Sequence, residues 1–145
     1  DKHPNVAIDY NNFGAAWSNL GDAKKAIEYF SKALEIDLPI FGDKHPSVAI
    51  GYNNLGEAWS NLGDAKKAIE YYKKALEIDL SVFGDKHPKV ARNYNNLGEA
   101  WGNLGDAKKA LEYLTKALEI FKAIYGVNHP STKTVQENLD SLQSN

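Results

Sequence analysis

The sequence predicts an all-α protein, an α-solenoid of stacked antiparallel helical hairpins with a C-terminal capping helix. Two observations support this prediction. The chain repeats itself with a period of 42 residues, and inside each repeat apolar residues recur at the three- and four-residue steps of a helix. No segment shows the two-residue alternation of a half-buried strand, so we expect no sheet.

Each repeat opens with an aspartate and closes with a glycine. The repeats span 1–42, 43–84 and 85–126, and residues 127–145 begin a fourth. The first two differ at only 8 of 42 positions, which indicates recent duplication or deliberate design. We expect a single domain over 1–145. Because the chain begins in phase with the repeat, we expect a segment of a longer protein or an engineered one.

Proline, glycine and aspartate mark the helix ends inside each repeat. In the second repeat, Pro46 suits the first turn of a helix, where its missing N–H costs nothing. Gly63 suits a left-handed helix end, and Asp64 suits the start of the next helix. In the first repeat, Pro39 predicts a local bend near the end of the second helix. The first helix of the second repeat carries one apolar stripe: Val48, Tyr52, Leu55, Trp59 and Leu62.

The second helix of each repeat has an apolar side and a charged side. The apolar side in the second repeat holds Ala65, Ala68, Ile69, Tyr72, Ala75, Leu76, Leu80 and Phe83. The charged side holds Lys66, Lys67, Glu70, Lys73, Lys74 and Glu77, and we expect it to face solvent. One hairpin cannot bury two apolar stripes alone, so we expect neighbouring hairpins to stack into a continuous core.

The two ends of the array differ in polarity. Residues 127–145 resume the first helix of a repeat, but Gln136 replaces the stripe tyrosine and Gln143 replaces the tryptophan. Polar residues at these positions are what the end of a solenoid requires, so we expect a capping helix. The first repeat has no such cap, so we expect its apolar edge either to allow end-to-end self-association or to adjoin a missing upstream repeat.

Composition excludes several function classes. Lys and Arg total 17 against 19 for Asp and Glu, a net charge of −2, which disfavours binding to nucleic acid by phosphate neutralisation. There is no cysteine, and no apolar run approaches the ~20 residues that span a bilayer. We therefore expect a cytoplasmic protein that binds neither nucleic acid nor membranes.

The residue pattern of the second repeat resembles the tetratricopeptide repeat. The residues that carry the resemblance are Tyr52 to Trp59 (Tyr-Asn-Asn-Leu-Gly-Glu-Ala-Trp), Asn61 to Asp64, Ala68, Tyr72 and Ala75-Leu76. The 42-residue length is similar to the long repeats of kinesin light chains and bacterial multi-repeat relatives. The resemblance implies a right-handed superhelix whose first helices line a concave groove. It also implies a protein-interaction scaffold and not an enzyme.

Asparagines recur on the first helices away from the apolar stripe. Similar proteins hold peptides with asparagines at the positions of Asn11, Asn53 and Asn95. A side-chain amide can pair with the N–H and C=O of an extended backbone, which suits this role. The remaining groove candidates at helical spacing are Glu57, Glu99, Asn61, Asn103 and Arg92.

The charges at these positions predict the kind of partner. Glu57 and Glu99 make the groove acidic, with Arg92 the exception, so a neutral or basic peptide fits it better than an acidic one. A clamp for a C-terminal carboxylate needs several groove lysines or arginines, and apart from Arg92 they are missing.

Other chemistry finds no support in the sequence. His3, His45, His87 and His129 each precede a proline, one per repeat. Helices packed about 8–10 Å apart cannot bring such residues to the 2.0–2.1 Å that zinc needs, so we expect helix-start residues and no metal. No catalytic constellation or phosphate-binding loop is present, and we expect no cofactor.

A different interpretation stays open at this point. The asparagines can equally brace neighbouring repeats, having been copied with the unit. The near-identity of the repeats favours a structural or engineered array without a native ligand, because a groove evolved for one peptide should diversify repeat by repeat.

Overall fold

The computed structural model describes residues 3–144, and over that range the chain forms seven α-helices and no strand. The helices are α1 (Pro4–Asn19), α2 (Ala23–Phe41), α3 (Pro46–Leu62), α4 (Ala65–Phe83), α5 (Pro88–Leu104), α6 (Ala107–Tyr125) and α7 (Pro130–Gln143). The all-α prediction is confirmed. No helix in the described part of the chain is long and apolar enough to cross a membrane.

Each odd-numbered helix starts with a histidine cap and a proline. The Nδ1 atom of His45 accepts a hydrogen bond of 3.0 Å from the backbone N–H of Ser47, and Pro46 occupies the first turn. This bond satisfies one of the N–H groups that a helix start leaves without an intrahelical partner. The same cap forms at His3, His87 and His129.

The even-numbered helices start at an aspartate cap. Asp64 Oδ1 accepts a hydrogen bond of 3.0 Å from the Lys67 backbone N–H, and Gly63 before it ends α3 with a φ of +93°. A positive φ is strained for residues with a side chain, so glycine suits this turn. In the first repeat α1 ends at Asn19 with Leu20 as its C-cap, and the positive φ of +84° falls on Gly21.

The chain divides into two compact units, residues 1–82 and 83–145. The first contains α1, α2, α3 and nearly all of α4. The second contains α5, α6 and α7. The single domain over 1–145 therefore stays a prediction.

The core of the first unit joins adjacent repeats. Ala26 and Leu34 of α2 share one buried cluster with Leu55 and Ala58 of α3.

Within a hairpin, glycine on the first helix allows a ring of the second helix to approach closely. A Cβ atom on Gly14 would lie 2.6 Å from the Phe30 ring, and one on Gly56 would lie 2.6 Å from the Tyr72 ring.

The core of the second unit contains the C-terminal helix. Leu114 and Phe121 of α6 form a buried cluster with Val135 and Leu139 of α7. Gln136 and Gln143, one turn after buried Thr132 and Leu139, are exposed beside this core, as the sequence predicts for a capping helix.

Some residues of the predicted stripes lie closer to solvent than expected. Trp59 and Tyr52 are half-buried and pack against the edge of the core, and Leu62 is 40% exposed. Helix α2 continues through Pro39 to Phe41.

Two carboxyl groups, Asp37 of α2 and the equivalent Asp79 of α4, are buried, which was not expected from the sequence. Asp37 of α2 is only 7% exposed. Its burial raises the pKa of the carboxyl above the usual value, and the nearby His45 opposes the rise.

Candidate functional site

The predicted groove residues of the first unit lie on α1 and α3 at different depths. Asn53 is only 8% exposed and Asn11 is half-buried, whereas Glu57 and Asn61, one and two turns further along α3, are exposed. The outer part of the predicted surface in this unit therefore consists of a carboxylate and an amide. The Asn53 amide lies beneath it.

A small cleft separates α1 from α3 in this unit. It has a volume of about 110 Å³, and Asn54 and Glu57 line its α3 side. The residues of the other walls are Ala15, Ser18, Asn19 and Phe30. Close by in sequence, the Oδ1 atom of Asn11 is buried and has no hydrogen-bond partner among the described residues.

In the second unit a polar contact links two predicted groove residues to the C-terminal helix. The Nδ2 group of Asn138 donates hydrogen bonds of 3.0 Å to Asn95 Oδ1 and of 3.0 Å to Glu99 Oε1. Asn95 Oδ1 therefore already accepts one hydrogen bond, while the Asn95 amide hydrogens are not used in this contact. The asparagine at this position braces adjacent first helices, in line with the second interpretation above.

Sequence reasoning did not identify Asn138 as a brace. A signal for it was present. Asn138 occupies the same repeat position as Asn54 and Asn96, and the asparagine is kept there although Gln136 replaces the tyrosine two residues earlier. The other predicted groove residues of this unit, Arg92 and Asn103, are exposed on α5.

Each hairpin also contains two tyrosines and a lysine in contact. The ring centroids of Tyr52 and Tyr71 are 6.1 Å apart, and Lys74 Nζ lies 5.4 Å and 5.5 Å from them. A cation at this distance from a ring face is attracted by its quadrupole. The same cluster forms from Tyr10, Tyr29 and Lys32, and from Tyr94, Tyr113 and Lys116.

The tryptophans attract lysines in the same way. Lys67 Nζ lies 5.4 Å from the Trp59 ring, and Lys109 Nζ lies 4.2 Å from the Trp101 ring. The prediction that this lysine-rich side faces only solvent was therefore incomplete, because half of its regularly spaced lysines cover rings.

Two cavities lie beside the tyrosine clusters at matching repeat positions. The one in the first unit has a volume of about 360 Å³ and is lined by Asp43, Lys44, Tyr52, Lys74, Glu77, Ile78 and Ser81. The one in the second unit has a volume of about 520 Å³ and is lined by Asp85, Lys86, Tyr94, Lys116, Glu119, Ile120, Ala123 and Ile124. Each combines two lysines with two carboxylates, so neither selects strongly for one charge.

The tyrosines in these cavities remain protonated at neutral pH. Burial raises the pKa of the Tyr52 phenol, and the Asp43 carboxylate and Tyr71 add to the rise. Burial and the Asp85 carboxylate raise the pKa of Tyr94. Both phenols are therefore hydrogen-bond donors and not nucleophiles.

No cluster of three or more histidine, cysteine, aspartate or glutamate side chains suited to a metal ion occurs between residues 3 and 144.

Comparison with known families decides the classification. Sequence profiles described as tetratricopeptide repeat match residues 5–81, 49–102 and 90–131. The chain belongs to the tetratricopeptide repeat family. Proteins of this family are in general non-enzymatic scaffolds, and the match supports a repeat scaffold for protein–protein interaction in general terms.

Solved structures confirm the tetratricopeptide repeat solenoid. BtubC (BKLC) from P. vanneervenii is 24% identical with a TM-score of 0.89, over 99% of this chain and 58% of the other. A kinesin light chain candidate from Podospora anserina with nearly identical TPR-like repeats is 20% identical with a TM-score of 0.88, over 98% and 67%. The N-terminal domain of stress-induced protein-1 from C. elegans is 21% identical with a TM-score of 0.70, over 97% and 96%.

The present tetratricopeptide chain thus spans little more than half of BtubC. No curated protein matches it closely in sequence. At these identities the structural likeness establishes the fold alone.

Proposed function

We propose that this chain binds a peptide segment of a protein partner along the first helices of its hairpins. The observation that carries the proposal is the set of exposed polar side chains there. Glu57 and Asn61 project from α3 of the first unit, and Arg92, Glu99 and Asn103 are exposed on α5 of the second. Glu57, Asn61, Arg92 and Asn103 can form hydrogen bonds or ion pairs with a ligand without any rearrangement of the core. Glu99 already accepts a hydrogen bond from Asn138 and adds its negative charge to the surface.

The inner asparagines would complete the grip on the ligand backbone. Asn95 still has amide hydrogens for a ligand carbonyl, because Asn138 contacts only its oxygen. The Asn11 Oδ1 atom has no hydrogen-bond donor among residues 3–144, although it is buried. Asn53 would contribute through its small exposed part. Each such hydrogen bond adds about 0.5–1.5 kcal/mol, so affinity must also come from side-chain contacts.

The charges favour a neutral or basic ligand. Glu57 and Glu99 are exposed, and Arg92 offers one opposing charge. A membrane or nucleic-acid partner fits the near-neutral net charge of the chain poorly. The proposal also includes a cytoplasmic location, and imaging of a fluorescent fusion would test that location.

The test is selection from a random peptide library, followed by affinity measurements with variants. We expect Asn61→Ala and Asn103→Ala to weaken the selected peptides about 2- to 10-fold. Glu57→Gln together with Glu99→Gln should reduce the preference for basic peptides and its salt dependence. Lys66→Ala on the second helix is the control. Selection of no peptide that depends on these residues would overturn the proposal.

A structural array without a native ligand is the second candidate. The Asn138 brace favours it, because two proposed ligand-binding side chains already contact a neighbouring helix. In that case Asn95→Ala would lower stability and leave every selected peptide unaffected.

A further inference from the structure

Histidine caps the first turn of α3 and of α7 through a nitrogen lone pair. His45 Nδ1 accepts a hydrogen bond of 3.0 Å from the Ser47 backbone N–H. His129 Nδ1 accepts one of 3.1 Å from the Ser131 backbone N–H. A ring nitrogen that accepts a hydrogen bond carries no proton, whereas protonated imidazole has an N–H group on both nitrogens and no acceptor. Each cap therefore forms only while its histidine is neutral.

A stacked aromatic ring holds each of these imidazoles at its cap. The ring centroids of Phe41 and His45 are 4.5 Å apart. Those of Tyr125 and His129 are 4.0 Å apart. Because the imidazole cannot turn away without losing this contact, a protonated ring would direct an N–H group against the backbone N–H. The positive end of the helix dipole also disfavours a cation there, so proton uptake conflicts with the cap for two reasons.

The two capping histidines differ in their carboxylate neighbours. Asp37, which is buried in α2, interacts electrostatically with His45. A carboxylate near a histidine favours the protonated form and so offsets the loss of the cap. The third repeat has Phe121 at the position of Asp37, so His129 lacks this carboxylate. The cavity beside the loop that precedes His45 adds balanced charges, from Asp43, Glu77, Lys44 and Lys74.

The charged groups near the start of α7 do not replace the missing carboxylate. The cavity beside Thr132, in the first turn of α7, is lined by Lys122, Lys133 and Glu137. On α5, the other helix that contacts α7, the first turns carry Lys89 and Arg92. Glu99 of α5 bonds Asn138, toward the C-terminal end of α7. One carboxylate against two lysines in this cavity leaves a protonated His129 without the compensation that Asp37 gives His45.

We propose that the His129 cap makes α7 an acid-sensitive helix, in which proton uptake by His129 breaks the cap and loosens the first turns of α7 from α6, while α3 responds less. Histidine changes its charge between about pH 5 and 8, so the response should fall in this range. The residues released from α6 would include Thr132 and Val135, which are buried. The inference concerns the stability of α7 and does not depend on the proposed peptide binding.

The test is amide hydrogen exchange of the full chain, followed by NMR at about pH 7.5 and about pH 5. Protection factors correct for the intrinsic pH dependence of exchange. We expect those of α7 amides such as Val135 to fall about 2- to 30-fold at the lower pH, which is the range that the loss of a helix cap predicts. Those of α3 amides such as Leu55 should fall less.

Variants of the two caps locate the response. His129→Asn supplies a cap that does not titrate in this range, so the loss of α7 protection should disappear. His45→Asn is the matched control and should leave the α7 response unchanged. Asp37→Asn removes the carboxylate at His45 and keeps its size, so α3 should become about as acid-sensitive as α7.

Four results would overturn the proposal. The first is equal protection of α7 at both pH values in the natural chain. The second is a loss that persists in His129→Asn, since another group would then be the sensor. The third is an α3 that stays insensitive in Asp37→Asn, since the carboxylate would not distinguish the caps. The fourth is a protonated Nδ1 of His129 at about pH 7.5 in nitrogen NMR, since the cap would not form.

Discussion

Asn138 of the C-terminal helix donates a hydrogen bond to Asn95, 43 positions earlier, and the same amide bonds Glu99. The contact holds together the first helices of two successive repeats in the second unit. It also shows that an asparagine can be both a candidate ligand contact and a structural brace.

Removal of this brace should destabilise the second unit. Asn138→Ala breaks two hydrogen bonds of about 0.5–1.5 kcal/mol each, so we expect the free energy of unfolding to fall by about 1–3 kcal/mol. Urea denaturation followed by circular dichroism measures it. Asn128→Ala, at an exposed residue between helices, is the control. Equal midpoints for both variants would mean that water replaces the brace without cost.

A methyl group on Gly56 of α3 should destabilise the fold. A Cβ on Gly56 would lie 2.6 Å from the Tyr72 ring, so Gly56→Ala should cost about 1–3 kcal/mol through forced displacement of the helices. Gly102→Ala is the matched control, because its Cβ would meet Ala110 at 3.8 Å, an ordinary contact. The control should be neutral or stabilise the chain by up to about 1 kcal/mol through the unfolded state.

A double-mutant cycle checks the cause of the Gly56 effect. Tyr72→Ala removes the ring, so Gly56→Ala should cost less in that background. If Gly56→Ala destabilises the Tyr72→Ala chain as much as the natural chain, the Tyr72 ring is not the cause.

Stability should depend on pH through Asp37. Burial raises the folded-state pKa of this carboxyl above its ordinary value of 3.8, so the folded chain binds the proton more tightly than the unfolded chain. The contribution of this group to stability is therefore complete below pH 3.8 and is lost as pH rises through the folded pKa.

The variant Asp37→Asn tests this linkage. The free energy of unfolding of this variant should equal that of the natural chain below pH 3.8 and exceed it at neutral pH. Urea denaturation at a series of pH values measures both. Asp9→Asn, at an exposed aspartate of the same unit, is the control. A natural chain more stable than Asp37→Asn at neutral pH would indicate that pairing with His45 outweighs burial.

The lysine over the tyrosine pair should contribute to stability. Lys74→Met keeps the aliphatic stem and removes the cation from Tyr52 and Tyr71, so we expect a loss of about 0.5–1 kcal/mol. Lys66→Met, at an exposed position on the same helix, is the control. A loss of the same size in both variants would point to the general effect of charge removal.

Much of the fold follows from the sequence because its signals are local. Pro46, Gly63 and Asp64 mark helix ends through backbone geometry and capping, which involve only neighbouring residues, and the structure places the ends there. The period of 42 residues then extends a single hairpin to the whole chain.

The candidate site was less predictable because its contacts join distant residues. A helical wheel separates Asn53 from the apolar stripe but does not show that it is 8% exposed, since that depends on a neighbouring helix. The wheel likewise gives Asn138 and Glu99 the same polar character, and only the packing of α7 on α5 makes them a bonded pair. The burial of Asp37 depends on packing in the same way.

The cluster shared by Leu34 and Leu55 has a consequence for how such a protein changes in evolution. The two residues come from adjacent copies of one sequence unit, so each duplicated 42-residue segment carries both halves of the contact. A gene can therefore gain or lose whole copies by unequal recombination, and the junction between copies is inherited ready-made. A deletion out of register would instead leave one half without its complement, so selection should keep the array length in multiples of one copy.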